Sequence, residues 1–240
     1  MTNSKPTIQR IEMKFQLDAS LSREVKDWAR DHLGVDDNCN SGGDDSYDIY
    51  SLYLDTQELD LYHRTGRIGR AKHRIRRYGK EQTLWVETKR KKNMVVRKNR
   101  TAVFESDLMA RLAACPLDRA AFDDPWCGDW FIDRVAARRL QPAIQIGYRR
   151  FARTSTLDGE NLRLTIDSNM HAGPIDGWNI ASDSSNAFGS IGDSEILELK
   201  FHNQMPHLFR ELLRTFPIPA TGFSKYRTAI GSLATLEHAA

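Results

Sequence analysis

The stretch Ala71–Lys92, AKHRIRRYGKEQTLWVETKRKK, constrains the fold more than any other. It reads as two extended runs joined by a turn at Gly79-Lys80-Glu81. Side chains on a strand alternate with a period of two, so every second residue shares a face. Arg74 and Arg76 then lie on one face of the first run, opposite Ile75 and Arg77. Trp85, Glu87 and Lys89 share a face of the second, opposite Leu84, Val86 and Thr88.

The same design, charge on one face and apolar groups on the other, recurs along the chain. Over Thr7–Leu17, Ile11, Met13, Phe15 and Leu17 alternate with Arg10, Glu12 and Lys14. In Tyr47–Asp55, Ser51, Tyr53 and Asp55 oppose Leu52 and Leu54. In Val95–Phe104, after a break at Asn93, Lys98, Arg100 and Ala102 oppose Asn99, Thr101 and Val103. Ile144–Thr154 and Leu162–Ser168 are predicted strands joined through Asp158-Gly159, a hairpin-turn dipeptide. In Ser194–His202, Glu198 and Lys200 oppose Leu197, Leu199 and Phe201. Helical spacing covers Ser20–Leu33, with Ser20 or Ser22 as N-cap, Pro206–Phe216, and Ser224–Glu237 with Ser224 as N-cap. A helical insertion is predicted at about 106–140, interrupted by Pro116, Pro125 and Gly128. Residues 1–6 are expected to form a flexible tail, and 7–235 a single domain. Met170–Asp193, rich in Gly, Ser, Asn and Asp, is aperiodic and reads as a loop.

About eight such strands admit two architectures: an open antiparallel sheet with its charges in water, or a sheet curled into a barrel with its charges inside. A single strand of this kind fits the open form. Eight favour closure, because exposed cations on neighbouring strands repel with no compensation. The expected fold is therefore α+β, an eight-stranded antiparallel β-barrel with flanking helices. At the inward parity stand the cations Lys14, Arg74, Arg76, Lys89, Lys98, Arg100, Arg150, Arg163 and Lys200, with the acids Glu12, Glu87 and Glu198. Arg pairs bidentately with phosphate oxygens and Lys acts as a point charge. A few carboxylates among them suit Mg²⁺ or Mn²⁺ held against a phosphate chain. Ser224-Lys225, at a predicted helix start, adds a hydroxyl and an ammonium to an anion-attracting terminus. The competing reading is structural: alternate Arg and Glu on strands commonly form cross-strand salt bridges, and a Ser at a helix start commonly only caps it. Tyr53 and Tyr148 read as packing residues, and Asp55 and Asp167 as turn caps.

Bulk composition narrows the partners. The net charge of +3 on 240 residues is too mild to call for nucleic acid, and few aromatic residues stand at the charged parity for base stacking. Cys39, Cys115 and Cys127 have neither disulfide-framework nor zinc spacing, and the seven histidines share no ligand-like face. The N-terminal MTNSKPTIQR has no signal-like apolar run, and no segment approaches the roughly 18 apolar residues of a spanning helix. A cytoplasmic protein is expected.

RIEMKF (10–15), SLYLDT (51–56), RIRRYG (74–79), VETKRKK (86–92), RKNR (97–100), YRRFA (148–152), LRLTID (162–167), LELKF (197–201) and FSKYR (223–227) occur in an order that resembles the vacuolar transporter chaperone (VTC) domain. That domain is the polyphosphate polymerase branch of the triphosphate tunnel metalloenzyme (CYTH-like) superfamily. The resemblance implies a tunnel in which the terminal phosphate of ATP passes to a growing polyphosphate chain. It assigns phosphate-binding roles to Lys14, Arg74, Arg76, Lys89, Lys98, Arg150, Arg163, Ser224 and Lys225, and metal binding to Glu198. Arg74, Arg76 and Lys225 are the candidate catalytic residues; Arg100 and Lys200 as phosphate contacts and Glu12 and Glu87 as metal ligands rest on parity alone. The superfamily's hydrolases carry ExExK, whereas this chain reads Arg10-Ile11-Glu12-Met13-Lys14, which argues against the triphosphatase and cyclase branches. Eukaryotic relatives add a phosphate-sensing helical domain and a membrane segment; neither is expected here, which leaves room for a separate membrane-protein partner. Two alternatives stand: hydrolysis of tripolyphosphate or nucleoside triphosphates, and a non-catalytic polyphosphate-binding module.

Overall fold

The computed structural model describes residues 10–39, 45–65, 71–92, 95–113, 126–157, 160–185, 187 and 189–237. The strands are β1 (Arg10–Leu17), β2 (Gly34–Val35), β3 (Ser46–Asp55), β4 (Ala71–Tyr78), β5 (Thr83–Lys92), β6 (Val95–Phe104), β7 (Gln141–Leu157), β8 (Glu160–Gly173), β9 (Gly189–Ser190) and β10 (Glu195–His202). The helices are α1 (Ala19–His32), α2 (Asp60–His63), α3 (Glu105–Ala113), α4 (Asp129–Arg138), α5 (His207–Thr215) and α6 (Lys225–Glu237). Eight strands run in the order β1-β10-β8-β7-β3-β4-β5-β6, with β2 added on β7 and β9 on β8. Among the described residues every strand pairing is antiparallel.

The alternation seen in the sequence decides which way the sheet curls. Its apolar parity faces outward and is covered by helices. Phe15, Leu17, Leu197, Leu199, Leu164 and Ile166 pack beneath α1 and α5, with Val25, Ala29, Phe209 and Leu212 supplied from the helices. Leu52, Leu54, Ile75, Leu84 and Val86 pack beneath α3 and α4, against Leu108, Phe131 and Ile132. A third cluster lies on the concave side, where Tyr226 and Ala229 of α6 meet Tyr53, Ile144, Ile146 and Ile196. One helix thus fills part of the hollow while four shield the outside.

Among the described residues β1 and β6 share no ladder, so the ring is not closed by backbone. The segment before α6 takes the place of a partner on the free edge of β1. Phe15 bridges Ala220, and the Thr221 amide donates to the Lys14 carbonyl at 2.8 Å. Side chains bridge the ends of the sheet instead: Lys89 on β5 reaches Glu12 on β1 at 2.7 Å.

Three expectations are corrected. The N-cap of α1 is Asp18, whose carboxylate accepts from the Leu21 amide at 2.8 Å; Ser22 instead donates to Glu195. The loop read at Met170–Asp193 contains the end of β8 and all of β9. The strand read at Ile144–Thr154 spans Gln141–Leu157. The turn in the opening hairpin stands where expected: Gly79 adopts φ +52°, and its amide donates to the Asp48 carbonyl at 2.8 Å. The 1–6 tail, Asn93, Asp158-Gly159 and the middle of the 106–140 insertion, including Cys115, Pro116 and Pro125, lie outside the described residues.

Candidate active site on the concave face

The register stacks the charged side chains into rungs. Lys89 pairs across β5 with Lys72 on one side and Lys98 on the other. One rung along, Glu87 stands between Arg74 and Arg100, and Tyr53 of β3 is opposite Arg74. The next has Arg76 between Ser51 and Trp85. On the far wall Lys14 pairs with Glu198, Glu12 with Lys200, Lys200 with Arg163 and Arg150 with Asp167.

Each carboxylate gathers several cations. Glu87 is buried and receives Arg74 at 2.6 and 2.8 Å, Lys98 at 2.9 Å and Arg100 at 3.2 Å. Burial pushes its pKa up, but Arg74, Arg76 and Lys98 outweigh that and hold it well below the usual carboxylate range. Asp167, wholly buried, accepts Arg150 bidentately at 2.6 and 2.7 Å and Lys225 at 2.6 Å. Its pKa is likewise depressed, burial being overcome by Arg150 and Lys225. Glu198 carries Lys14 at 2.7 Å and Lys200 at 2.6 Å. Glu12 carries Lys89 at 2.7 Å and lies 3.8 Å from Lys14. Burial and Glu198 raise the Glu12 pKa, and Lys89, Lys200 and Lys14 bring it net below its ordinary value. Burial pushes the Lys200 ammonium down to about 8 despite the pull of Glu198.

All the predicted site residues stand on this face or at the start of α6. Arg163 sits to one side, donating to Asp36 at 3.2 Å and to Tyr47 Oη at 2.9 Å. Arg100 stacks on Trp85, its guanidinium 3.6 Å from the ring centre. Arg76 donates to Ser51 Oγ at 3.1 Å and Tyr148 Oη at 3.0 Å, with no carboxylate in ion-pair distance among the described residues. The start of α6 matches the reading of Ser224 as its cap: the Arg227 amide donates to Ser224 Oγ at 3.5 Å.

Sequence reasoning passed over several members. Lys72 shares the parity of Arg74 and Arg76, which was signal enough. Asp167 shares the parity of Arg163, yet it is no turn cap; it anchors Arg150 and Lys225. Tyr53 and Tyr148 do more than pack, since each hydroxyl accepts from a guanidinium, Arg74 at 3.2 Å and Arg76 at 3.0 Å. Asp36 had no local signal, because only the tertiary fold brings it to Arg163. Asp55 does cap, accepting from the amides of Thr56, Leu61 and Tyr62. His73 lies on the outer face, 3.0 Å from Thr88 Oγ1; burial, with Arg138 and Arg134, pushes its pKa down to about 3, so it stays neutral.

Taken together, Lys14, Lys72, Arg74, Arg76, Lys89, Lys98, Arg100, Arg150, Lys200 and Lys225 outnumber Glu12, Glu87, Asp167 and Glu198. Such a hollow suits an anion of several charges. Solved structures with the same architecture include a candidate adenylate cyclase from Bacillus halodurans, with 15% identity, 90% of this chain and 95% of that chain covered, and a TM-score of 0.52. Another is a candidate adenylyl cyclase from Hippeastrum with a dominant triphosphatase activity, at 13% identity, 93% and 96% coverage and a TM-score of 0.50. At these identities the likeness speaks for a shared fold alone. No curated protein matches the chain. The model of the VTC domain family matches residues 9–234, almost the whole length, and the chain belongs to that family.

Proposed function

We propose that this chain is a metal-dependent polyphosphate polymerase that transfers the terminal phosphoryl group of ATP to the end of a polyphosphate chain. The observation that carries the reading is the excess of ordered cations lining one hollow in a VTC domain. Arg74, Arg76 and Lys225 flank the transferred group. Lys14, Lys89, Lys98, Arg100, Arg150, Arg163, Lys200 and Ser224 hold the remaining phosphates. An anionic oxygen of the acceptor's terminal phosphate attacks the γ-phosphorus, the bond to the β-phosphate oxygen breaks, and ADP leaves. No protein nucleophile is needed: catalysis is alignment plus neutralisation of charge on the moving phosphoryl group.

Glu198 and Glu12 offer the hard oxygen donors that Mg²⁺ or Mn²⁺ prefers. Among the described residues no group of three or more His, Cys, Asp or Glu converges as a metal site. Two carboxylates fit an ion whose other positions fall to phosphate oxygens and water, the usual arrangement for Mg²⁺. Lys14 and Lys200 occupy the Glu198 oxygens in the free protein, and arriving phosphates would draw both ammoniums away. When bound, the ion supplies charge neutralisation at the phosphate oxygens. Glu87, enclosed by Arg74, Lys98 and Arg100, serves as an anchor for cations rather than as a ligand.

The test is incubation of purified protein with ATP and Mn²⁺, followed by gel electrophoresis stained for polyphosphate. Wild type should yield long chains and ADP; Glu198→Gln and Arg74→Ala should lose turnover by about a hundredfold or more while remaining folded. A second reading, hydrolysis of tripolyphosphate or nucleoside triphosphates, is favoured by the triphosphatase activity of the Hippeastrum protein. It predicts free phosphate without chains. Tight polyphosphate binding without nucleotide turnover would instead mark a binding module. No described helix is long and apolar enough to cross a membrane.

A further inference from the structure

Lys72, Lys89 and Lys98 lie side by side across β4, β5 and β6. Like charges directly opposite one another destabilise a sheet unless something neutralises them. Glu12 answers Lys89 at 2.7 Å, and Glu87 answers Lys98 at 2.9 Å. Among the described residues no carboxylate lies within ion-pair distance of Lys72. Its ammonium donates to Ser224 Oγ at 3.0 Å, a neutral partner. The other groups facing it deepen the imbalance: Arg74 from its own strand, Lys89 from β5 and Lys14 from β1, opposed by Tyr53 of β3 in its ionised form, whose pKa Arg74, Lys72, Arg76 and Lys225 bring down to about 7 against burial. Lys225, beside Ser224, is already committed to Asp167.

A half-buried ammonium held among cations costs stability in the free protein. Its counter-charge must come from outside. We propose that Lys72, together with the Ser224 hydroxyl, is a phosphate-binding site of the tunnel, clamping one phosphate group of a linear polyanion at the start of α6. The proposal rests on the reading of the hollow as a polyphosphate tunnel and adds to it a residue and a consequence. Burial, partly offset by Tyr53 and reinforced by Lys14, Arg74 and Lys89, pushes the Lys72 pKa down to about 8. A phosphate placed beside it raises that pKa again. Binding above about pH 8 therefore draws in a proton, and affinity falls as pH rises through that value.

Titration calorimetry of the metal-free protein with inorganic tripolyphosphate, in buffers of different ionisation enthalpy at pH 7 and pH 8.5, tests this. Lys72→Met should bind about ten- to a hundredfold more weakly, the worth of a lost charged hydrogen bond. It should also take up less proton at pH 8.5, and its ligand-free Tm should equal or exceed that of wild type. Lys72→Arg should restore affinity to within a few fold but not the lost proton uptake, since Arg does not titrate there. Wild-type affinity in Lys72→Met overturns the proposal and leaves the tunnel reading standing. Weak binding with a lowered ligand-free Tm and no rescue by Arg marks a structural residue and overturns it too. Failure of the wild-type protein to bind tripolyphosphate overturns both readings.

Discussion

Glu87 holds Arg74, Lys98 and Arg100 at once, and so sets the positions of three candidate phosphate ligands. Replacing it by Gln removes the counter-charge from beneath them. The expected loss is about 3 kcal/mol, the lower end for breaking a buried ion pair, read as a lower urea midpoint. Because its pKa is depressed in the folded state, the stability it contributes is complete above the unfolded value of about 4.3 and disappears as pH falls towards the folded one. Denaturation curves of Glu87→Gln and wild type should therefore converge on acidification below about pH 4. Parity made Glu87 legible, as it did Lys14, Arg74, Arg76 and Glu198. Lys72 and Asp167 stand at the same parity. Asp167 precedes Ser168-Asn169, residue types common in turns, and that local signal obscured the alternation with Thr165 and Arg163. Asp36 was beyond reach, since a loop carboxylate announces no partner more than a hundred residues away.

At the scale of elements, α6 matters most, because it carries Ser224 and Lys225 to the wall. It is moored by Tyr226, which is fully buried, stacks on Tyr53 at 5.4 Å between ring centres and donates its hydroxyl to Asp55. Asp55 in turn holds the start of α2 through the Leu61 and Tyr62 amides. Tyr226→Phe should cost about 1.5–3 kcal/mol in urea unfolding, the range for a hydrogen bond to a charged group, and should loosen the Lys225–Asp167 contact. Reduced phosphate affinity should accompany that loss. Element type was largely readable from period alone, whereas ends and irregular stretches were not. The long strand pair β7–β8 shifts register between Gly147 and Arg149, and Asn169 takes φ +48°. Such a break scrambles the alternation, which is why the final part of β8 read as loop.

For the whole molecule, the surplus of cations in the hollow is a source of self-repulsion that any bound polyanion relieves. Tripolyphosphate at about a hundred times its Kd should stabilise the protein by about 2.7 kcal/mol, seen as a rise in Tm, and the rise should shrink with added salt. A Tm indifferent to tripolyphosphate would contradict the tunnel reading. The side chains of β4 also impose a scale. Lys72, Arg74 and Arg76 occupy alternate positions on one strand, so neighbouring rungs lie about 6.6 Å apart and the outer two about 13 Å. Such a ladder works as a ruler: a thread-like anion can touch every mark, whereas a compact one of equal charge reaches a single mark and leaves the others bare. Discrimination here would then follow the shape of the guest as much as its valence.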